Sequence, residues 1–216
     1  MESKVFFEKN VVRVNKLISH LMVLSLIVVP ILAVLRFFWI YSVSYKYIIV
    51  LFLMDLGITS CQVIMVHTKV NPAFVKHYTL WSLCVFVCAM GSSRHLGIYV
   101  LFSIVPFLSC LYMDVKLTIT ANIINCFSTF TALYFRALEA VREEVFAFPT
   151  VSSFLLPYGA GALIEALVVL MISYSISNLI RTTIIRNKLS ERKIYDMQQS
   201  YIYFSANLVE SHEKFT

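Results

Sequence analysis

Apolar residues fall along this chain in six long blocks, separated by short polar intervals: Leu17–Trp39, Tyr47–Val66, Ala73–Met90, Leu96–Tyr112, Leu117–Phe135 and Val151–Ile180. A helix that crosses a bilayer needs about 20 mainly apolar residues, because the hydrocarbon core is roughly 30 Å thick and each residue rises about 1.5 Å. The blocks therefore predict six membrane helices. The fourth is the shortest and lies between Arg94–His95 and Asp114–Lys116, so a tight helical hairpin is expected with each neighbour. The blocks are continuously apolar with no period-two alternation, which argues against a membrane β-barrel. Leu17–Leu35 is longer than the apolar region of a secretory signal, so the first helix is expected to stay in the mature protein.

After Ile180 the pattern changes. The stretch from Arg181 to Thr216 has no Pro or Gly and is rich in helix formers, so the sixth helix is expected to run on into the cytoplasm. Within it Ile194, Met197, Tyr201, Phe204 and Leu208 recur at spacings of three and four, the a/d seam of a coiled coil. A homodimer formed through this helix is the expected assembly, against the plainer alternative of an amphipathic helix lying on the membrane. The expected organisation is a cytoplasmic segment over 1–16, a six-helix membrane sensor and anchor over 17–180, and a cytoplasmic helical linker over 181–216. In fold class this is an all-α polytopic membrane protein with a C-terminal signalling helix.

Composition sharpens the class. Of 216 residues 59% are hydrophobic and 14% charged, with a mean hydropathy of +0.80, whereas soluble domains average about 45–50% apolar and about 25% charged. The net charge of +6 is a matter of topology. With the N-terminus inside, the inner segments hold Lys4, Lys9, Arg13, Lys16, Lys69, Lys76, Lys116 and the basic residues of the tail. The outer segments hold only Arg36, Lys46, Arg94, Arg136 and Arg142. Lys and Arg are retained on the cytoplasmic side, so both ends are expected there, with the lipid bilayer as the first partner. The basic residues flank spans and make no patch with stacking aromatics, which speaks against nucleic acid. Cys61, Cys84, Cys88, Cys110 and Cys126 lie within the blocks or at their edges and read as packing residues.

Three polar residues at membrane depth stand out: Asp55 and Gln62 in the second block and Glu165 in the sixth. A charged side chain at the bilayer centre costs about 2.5–3.5 kcal/mol on insertion scales, so such groups face the bundle interior or water. Asp55 and Gln62 are seven apart on one helix face, and Glu165 follows Gly159 and Gly161, which permit close helix approach. They define a candidate sensing cluster for a ligand or proton, with interhelical hydrogen bonding as the plainer alternative. Arg94–His95 is expected to anchor a turn at the interface. The interval Arg136–Thr150 is expected to be an outer loop, with Leu138, Val141, Val145 and Phe146 on one side of a short interfacial helix. It is too small for a separate ligand-binding domain, so any stimulus is expected in or near the bilayer. No nucleophile–base pair, phosphate loop or metal-protease motif occurs, and neither catalytic residues nor a cofactor is expected in this chain.

The run Ala206-Asn207-Leu208-Val209-Glu210-Ser211-His212-Glu213-Lys214-Phe215-Thr216 resembles the opening helix of bacterial HD-type phosphohydrolase domains, including the HD-GYP cyclic di-GMP phosphodiesterases. Glu210, Ser211 and Thr216 match in order, with Glu213 where that family carries Asp. The Gly and metal-binding His that follow in the family lie beyond Thr216. Six helices before a straight helix, and the turn Tyr112–Thr118, are also similar to the polytopic sensory regions that precede such domains. The resemblance implies a sensory input and anchor module in a bacterial cytoplasmic membrane, ahead of an HD-type output absent from this chain; a divalent metal is implied only in that output. Phe204, Ala206, Asn207, Ser211, His212 and Glu213 also resemble the phosphoacceptor box of sensor histidine kinases. There, Val209 and Glu210 are extra and turn His212 by about 200° on the helix. A kinase membrane region and a small transporter or channel subunit are the alternatives.

Overall fold

The computed structural model describes the backbone of residues 2–96, 100–143 and 148–213, and the side chains among these from 6 to 205. Among the described residues the chain is helical throughout its regular structure: α1 (Glu2–Ser25), α2 (Val28–Phe37), α3 (Tyr45–His67), α4 (Pro72–Gly91), α5 (Leu101–Cys110), α6 (Val115–Arg142) and α7 (Val151–Glu213). It divides into two compact units, Met1–Ser177 and Asn178–Thr216.

Helix starts follow capping chemistry. Ser44 Oγ accepts from the Tyr47 N–H (3.3 Å), Asn71 Oδ1 from Ala73 (2.9 Å) with Pro72 at the first helical position, and Asp114 Oδ1 from Leu117 (3.2 Å). Two ends are Schellman turns. Past α2, Trp39 sits at φ 60° and the Ile40 N–H reaches Leu35 (3.0 Å). Past α3, Lys69 sits at φ 55° and the Val70 N–H reaches Met65 (3.2 Å).

Contacts fix the direction of each leg in the first unit. Residues at the start of α4 meet Asn15, whose Nδ2 donates to the Pro72 carbonyl (3.1 Å), and Asp114, which pairs with Lys76 (2.8 Å). This is the Lys76 end; the other is the Gly91 end. Helix α3 begins at the Gly91 end, where the Tyr47 hydroxyl donates to the Ala89 carbonyl, with the Met90 carbonyl 3.4 Å away. Further along, Gln62 accepts from Thr79 (2.9 Å). The leg through α5 returns from Leu96, whose carbonyl accepts from Arg136 (2.9 Å), to Leu111, which accepts from Asn10 (3.0 Å). Helix α6 then runs from Asp114 to Arg136. Antiparallel to it, α7 packs Phe154 with Leu133, Ala137 and Ala140 and reaches Ser177 beside Thr118 (3.3 Å).

Among the described residues four helical stretches are long and apolar enough to cross a membrane: Phe6–Phe37, Tyr45–His67, Pro72–Gly91 and Val151–Ser205. Two of the six expected legs are not among these four. Among the described residues of the fourth block, the helix is the ten-residue α5, about 15 Å long, and Pro106 lies inside it. Helix α6 has the length, at 28 residues, but is laced with Thr118, Asn122 and Asn125, all buried. The first block is split. Pro30 has no N–H to offer the carbonyl four residues back, and the chain turns at 26–27 between α1 and α2. The 1–16 segment expected to stand before the membrane domain is already helical from Glu2, with Val14 and Asn15 buried. The interval from Arg136, expected as an outer loop with a short interfacial helix, is helical to Arg142 as the continuation of α6, where Arg136 has buried partners. Val145 and Phe146 of that expected interfacial helix lie outside the described residues.

Candidate functional site

The polar groups of the first unit are sorted by the topology into separate settings. Asp55 is buried where α1 breaks. The Ser25 and Thr59 hydroxyls stand 3.1 and 3.4 Å from its Oδ1, and both are also within reach of the Met22 carbonyl (2.7 and 3.3 Å). Each hydroxyl has one hydrogen to give, so the carboxyl and the carbonyl share two donors at the end of α1. Gln62, two turns further along the same face of α3, has its Oε1 2.9 Å from the Thr79 hydroxyl, whose one hydrogen it shares with the Val75 carbonyl (2.7 Å). Glu165 does not join them. It lines a cavity of about 20 Å³ with Phe102, Asn122, Asn125 and Thr129, against α5 and α6. The expected trio is thus one α3 pair facing α1 and α4 and one separate carboxylate on α7. Sequence spacing can place Asp55 and Gln62 on one face, but only the order of the legs decides which helix α7 packs on.

Among the described residues a constellation of ionisable groups lies at the Gly91 end, where the turn after α4 meets the last turns of α6 and its C-cap Glu143. Arg136 is 1% exposed. Its Nε donates to the Gly91 carbonyl and its Nη2 to the Leu96 carbonyl (2.9 Å), so the guanidinium ties together both sides of the turn. The rigid fork of the guanidinium suits two carbonyls at once, where an ammonium is a single point charge.

One and two turns beyond Arg136 stand Glu139 and Glu143, at i, i+4 on the same face. The Arg94 backbone N–H donates to Glu139 Oε2 (2.5 Å), and the Arg94 guanidinium pairs with Glu143 Oε2 (2.7 Å). The other oxygens turn toward His95, whose Nε2 lies 3.1 Å from Glu143 Oε1 and 3.9 Å from Glu139 Oε1. All three side chains are partly exposed, on a cavity of about 500 Å³ that Ser42, Ser44, Tyr47, Ser92 and Ser93 also line. Of the described residues, His95, Glu139 and Glu143 are the ones grouped closely enough to hold a metal, with ligand atoms within 4.8 Å of one another.

Sequence reasoning placed Arg94–His95 at a turn but missed their partners, and it treated Arg136 as a loop residue. The available signal was the Glu139–Glu143 spacing, which marks a helix face and not a loop.

At the Lys76 end, Asp114 caps α6 and pairs with Lys76. Burial works to raise its pKa, but the Lys76 ammonium and the Leu117 N–H outweigh it and hold the carboxyl below the usual carboxylate range.

In the second unit, Ile194, Met197, Tyr201 and Phe204 are 50%, 63%, 75% and 63% exposed. The side chain of the last seam residue, Leu208, lies outside the described residues, as do those of Glu210, Ser211, His212 and Thr216 on which the HD-type and kinase resemblances rest. No protein-family model, curated protein or solved structure matches the chain.

Proposed function

We propose that this chain is a membrane-embedded input and anchor module, crossing the bacterial cytoplasmic membrane six times with both ends in the cytoplasm. Its last helix carries a change in the bundle to paired copies of an output domain beyond residue 216, of the HD phosphohydrolase type. The observation that carries this reading is the run of large apolar side chains on the 178–213 segment. That segment bears Arg181, Arg186, Lys188, Glu191, Arg192, Lys193 and Asp196, yet Ile194, Met197, Tyr201 and Phe204 stand half or more exposed at seam spacing, with Leu189, Tyr195, Ile202 and Tyr203 exposed off the seam. Exposed apolar residues at this spacing mark a surface that is covered by a partner, and a second copy of the same helix supplies a matching seam.

Six crossings fit the alternation of the legs. The α5 leg and α6 turn their buried polar side chains toward neighbouring helices and expose apolar ones such as Val100, Ile123 and Phe127 on the opposite side. The polar side chains of α6 serve interhelical hydrogen bonds there: Asn122 Nδ2 donates to Ser173 Oγ (2.9 Å) and Asn125 Nδ2 to the Phe102 carbonyl (2.5 Å).

The test is disulfide crosslinking in native membranes, in a background with the five cysteines replaced. Single cysteines at Met197, Tyr201 and Phe204 are expected to crosslink between copies, and cysteines at Gln198 and Ser205, off the seam, much less. Equal crosslinking at all five positions, or none at any, would remove the paired-helix reading.

A further inference from the structure

The constellation at the Gly91 end has the geometry of a metal site. Glu139 and Glu143 each turn one carboxylate oxygen toward His95 and the other toward Arg94. This division of labour is what metal-binding carboxylates need, since outer-shell hydrogen bonds fix which oxygen faces the ion. Arg94 takes only the two Oε2 atoms, through its backbone N–H and its guanidinium, so it orients both side chains without occupying the Oε1 positions. The three remaining donors, His95 Nε2 and the two Oε1 atoms, stand 3.1 and 3.9 Å apart along the His–Glu pairs. All three lie within 4.8 Å of one another; donors around a tetrahedral zinc, at about 2.0–2.1 Å from the ion, are spaced by roughly 3.3 Å, so side-chain shifts of up to about 1.5 Å bring these three into register. A helix supplies two of the ligands at i, i+4 and an anchored turn supplies the third, with Arg136 pinning that turn to the helix through Gly91 and Leu96.

We propose that His95, Glu139 and Glu143 bind a divalent transition-metal ion of zinc-like preference, one imidazole nitrogen and two carboxylate oxygens forming three ligands. The fourth position opens on the cavity of about 500 Å³ lined by Ser42, Ser44, Tyr47, Ser92 and Ser93, leaving room for water or an oxygen-bearing ligand, as in zinc sites that keep an open position. On binding, the imidazole ligates as its neutral form, with the Nε2 lone pair donated to the ion and the ring proton on Nδ1, and the Nε2 contact with Glu143 is given up. With Arg94 beside two carboxylates the site carries a net charge of −1, which the ion turns to +1. Binding therefore fastens the turn after α4 to α6 more tightly than the His–Glu hydrogen bond does. The site is independent of the signalling reading: paired tails need no metal, and a metal here needs no paired tails.

The test is zinc and cobalt binding by the full chain in detergent or nanodiscs after chelator treatment. Wild type is expected to bind one Zn²⁺ per chain saturably. Co²⁺ is expected to give visible d–d bands of a nitrogen–oxygen site, abolished by Zn²⁺. His95→Ala and Glu143→Gln are each expected to weaken binding by at least the roughly 10–100-fold seen when outer-shell partners of a metal are removed. Glu143→Gln keeps the shape of the side chain, and an unchanged size-exclusion profile separates a lost ligand from a lost fold. Met197→Ala, on the tail, is expected to bind as wild type does. No saturable zinc in wild type, equal affinity in all variants, or a thiolate charge-transfer band that puts the cobalt on cysteine would each overturn the proposal.

Discussion

Replacing Arg136 tests the packing account where the energies are largest. The guanidinium is 1% exposed and donates to the carbonyls of Gly91 and Leu96. Truncation to Ala removes both donors, and each buried carbonyl left without a partner costs about 1–3 kcal/mol. The void left by the side chain adds to this. With two such carbonyls and the void together, Arg136→Ala is expected to destabilise by about 4 kcal/mol. Arg136→Lys keeps the charge but loses the fork, and with one carbonyl abandoned about 1–3 kcal/mol is expected. Arg136→Met keeps the apolar stem and should fall between Lys and Ala. The assay is reversible unfolding in mixed micelles, or thermal unfolding in one detergent for all four proteins, ranked wild type, Lys, Met, Ala. A loss below about 1 kcal/mol for Ala, the range of an exposed ion pair, would refute the burial argument. Equal stability of Lys and wild type would refute the role assigned to the fork.

Other outcomes follow from single contacts. A methyl group at Gly91 would collide with the Phe102 ring, itself buried, so Gly91→Ala is expected to lower stability by about 1–3 kcal/mol in the same unfolding assay. Lys69 holds a left-handed φ of 55° at the end of α3, and Lys69→Gly is expected to raise stability by about 1 kcal/mol by relieving the Cβ clash, read as a rise in Tm. Asp114 titrates below its unfolded value because of Lys76, so its pairing stabilises the fold above about pH 4 and is lost as pH falls through the lowered pKa. Wild type should therefore lose more stability than Asp114→Asn between pH 7 and pH 3; parallel profiles for the two would show that the pair contributes nothing.

The sequence was most legible where local chemistry decides. The third and fourth helices begin within a residue or two of the apolar blocks, at Tyr45 and Pro72, because Ser44 and Asn71-Pro72 are cap signals at the chain level. It was least legible where partners are far apart in sequence. Arg136 follows an apolar block and reads as its end, and only carbonyls 40 and 45 residues earlier make it interior. Likewise Glu165 matched Asp55 as a costly membrane-depth carboxylate, but α7 packs on α5 and α6 while Asp55 closes the break in α1. The Pro30 break itself was open to inspection: a proline whose missing N–H leaves a carbonyl four residues back without its helical donor.

Sidedness is the central claim's most direct test. Single cysteines introduced at Ser42, Val70 and Ser200, in the cysteine-replaced background, are labelled in intact cells with a membrane-impermeant maleimide and again after permeabilisation. All three positions are exposed. Six crossings with both ends inside put Ser42 outside and the other two inside, so only Ser42→Cys should label before permeabilisation. Labelling of Ser200→Cys in intact cells would put the tail on the outer face and contradict the account.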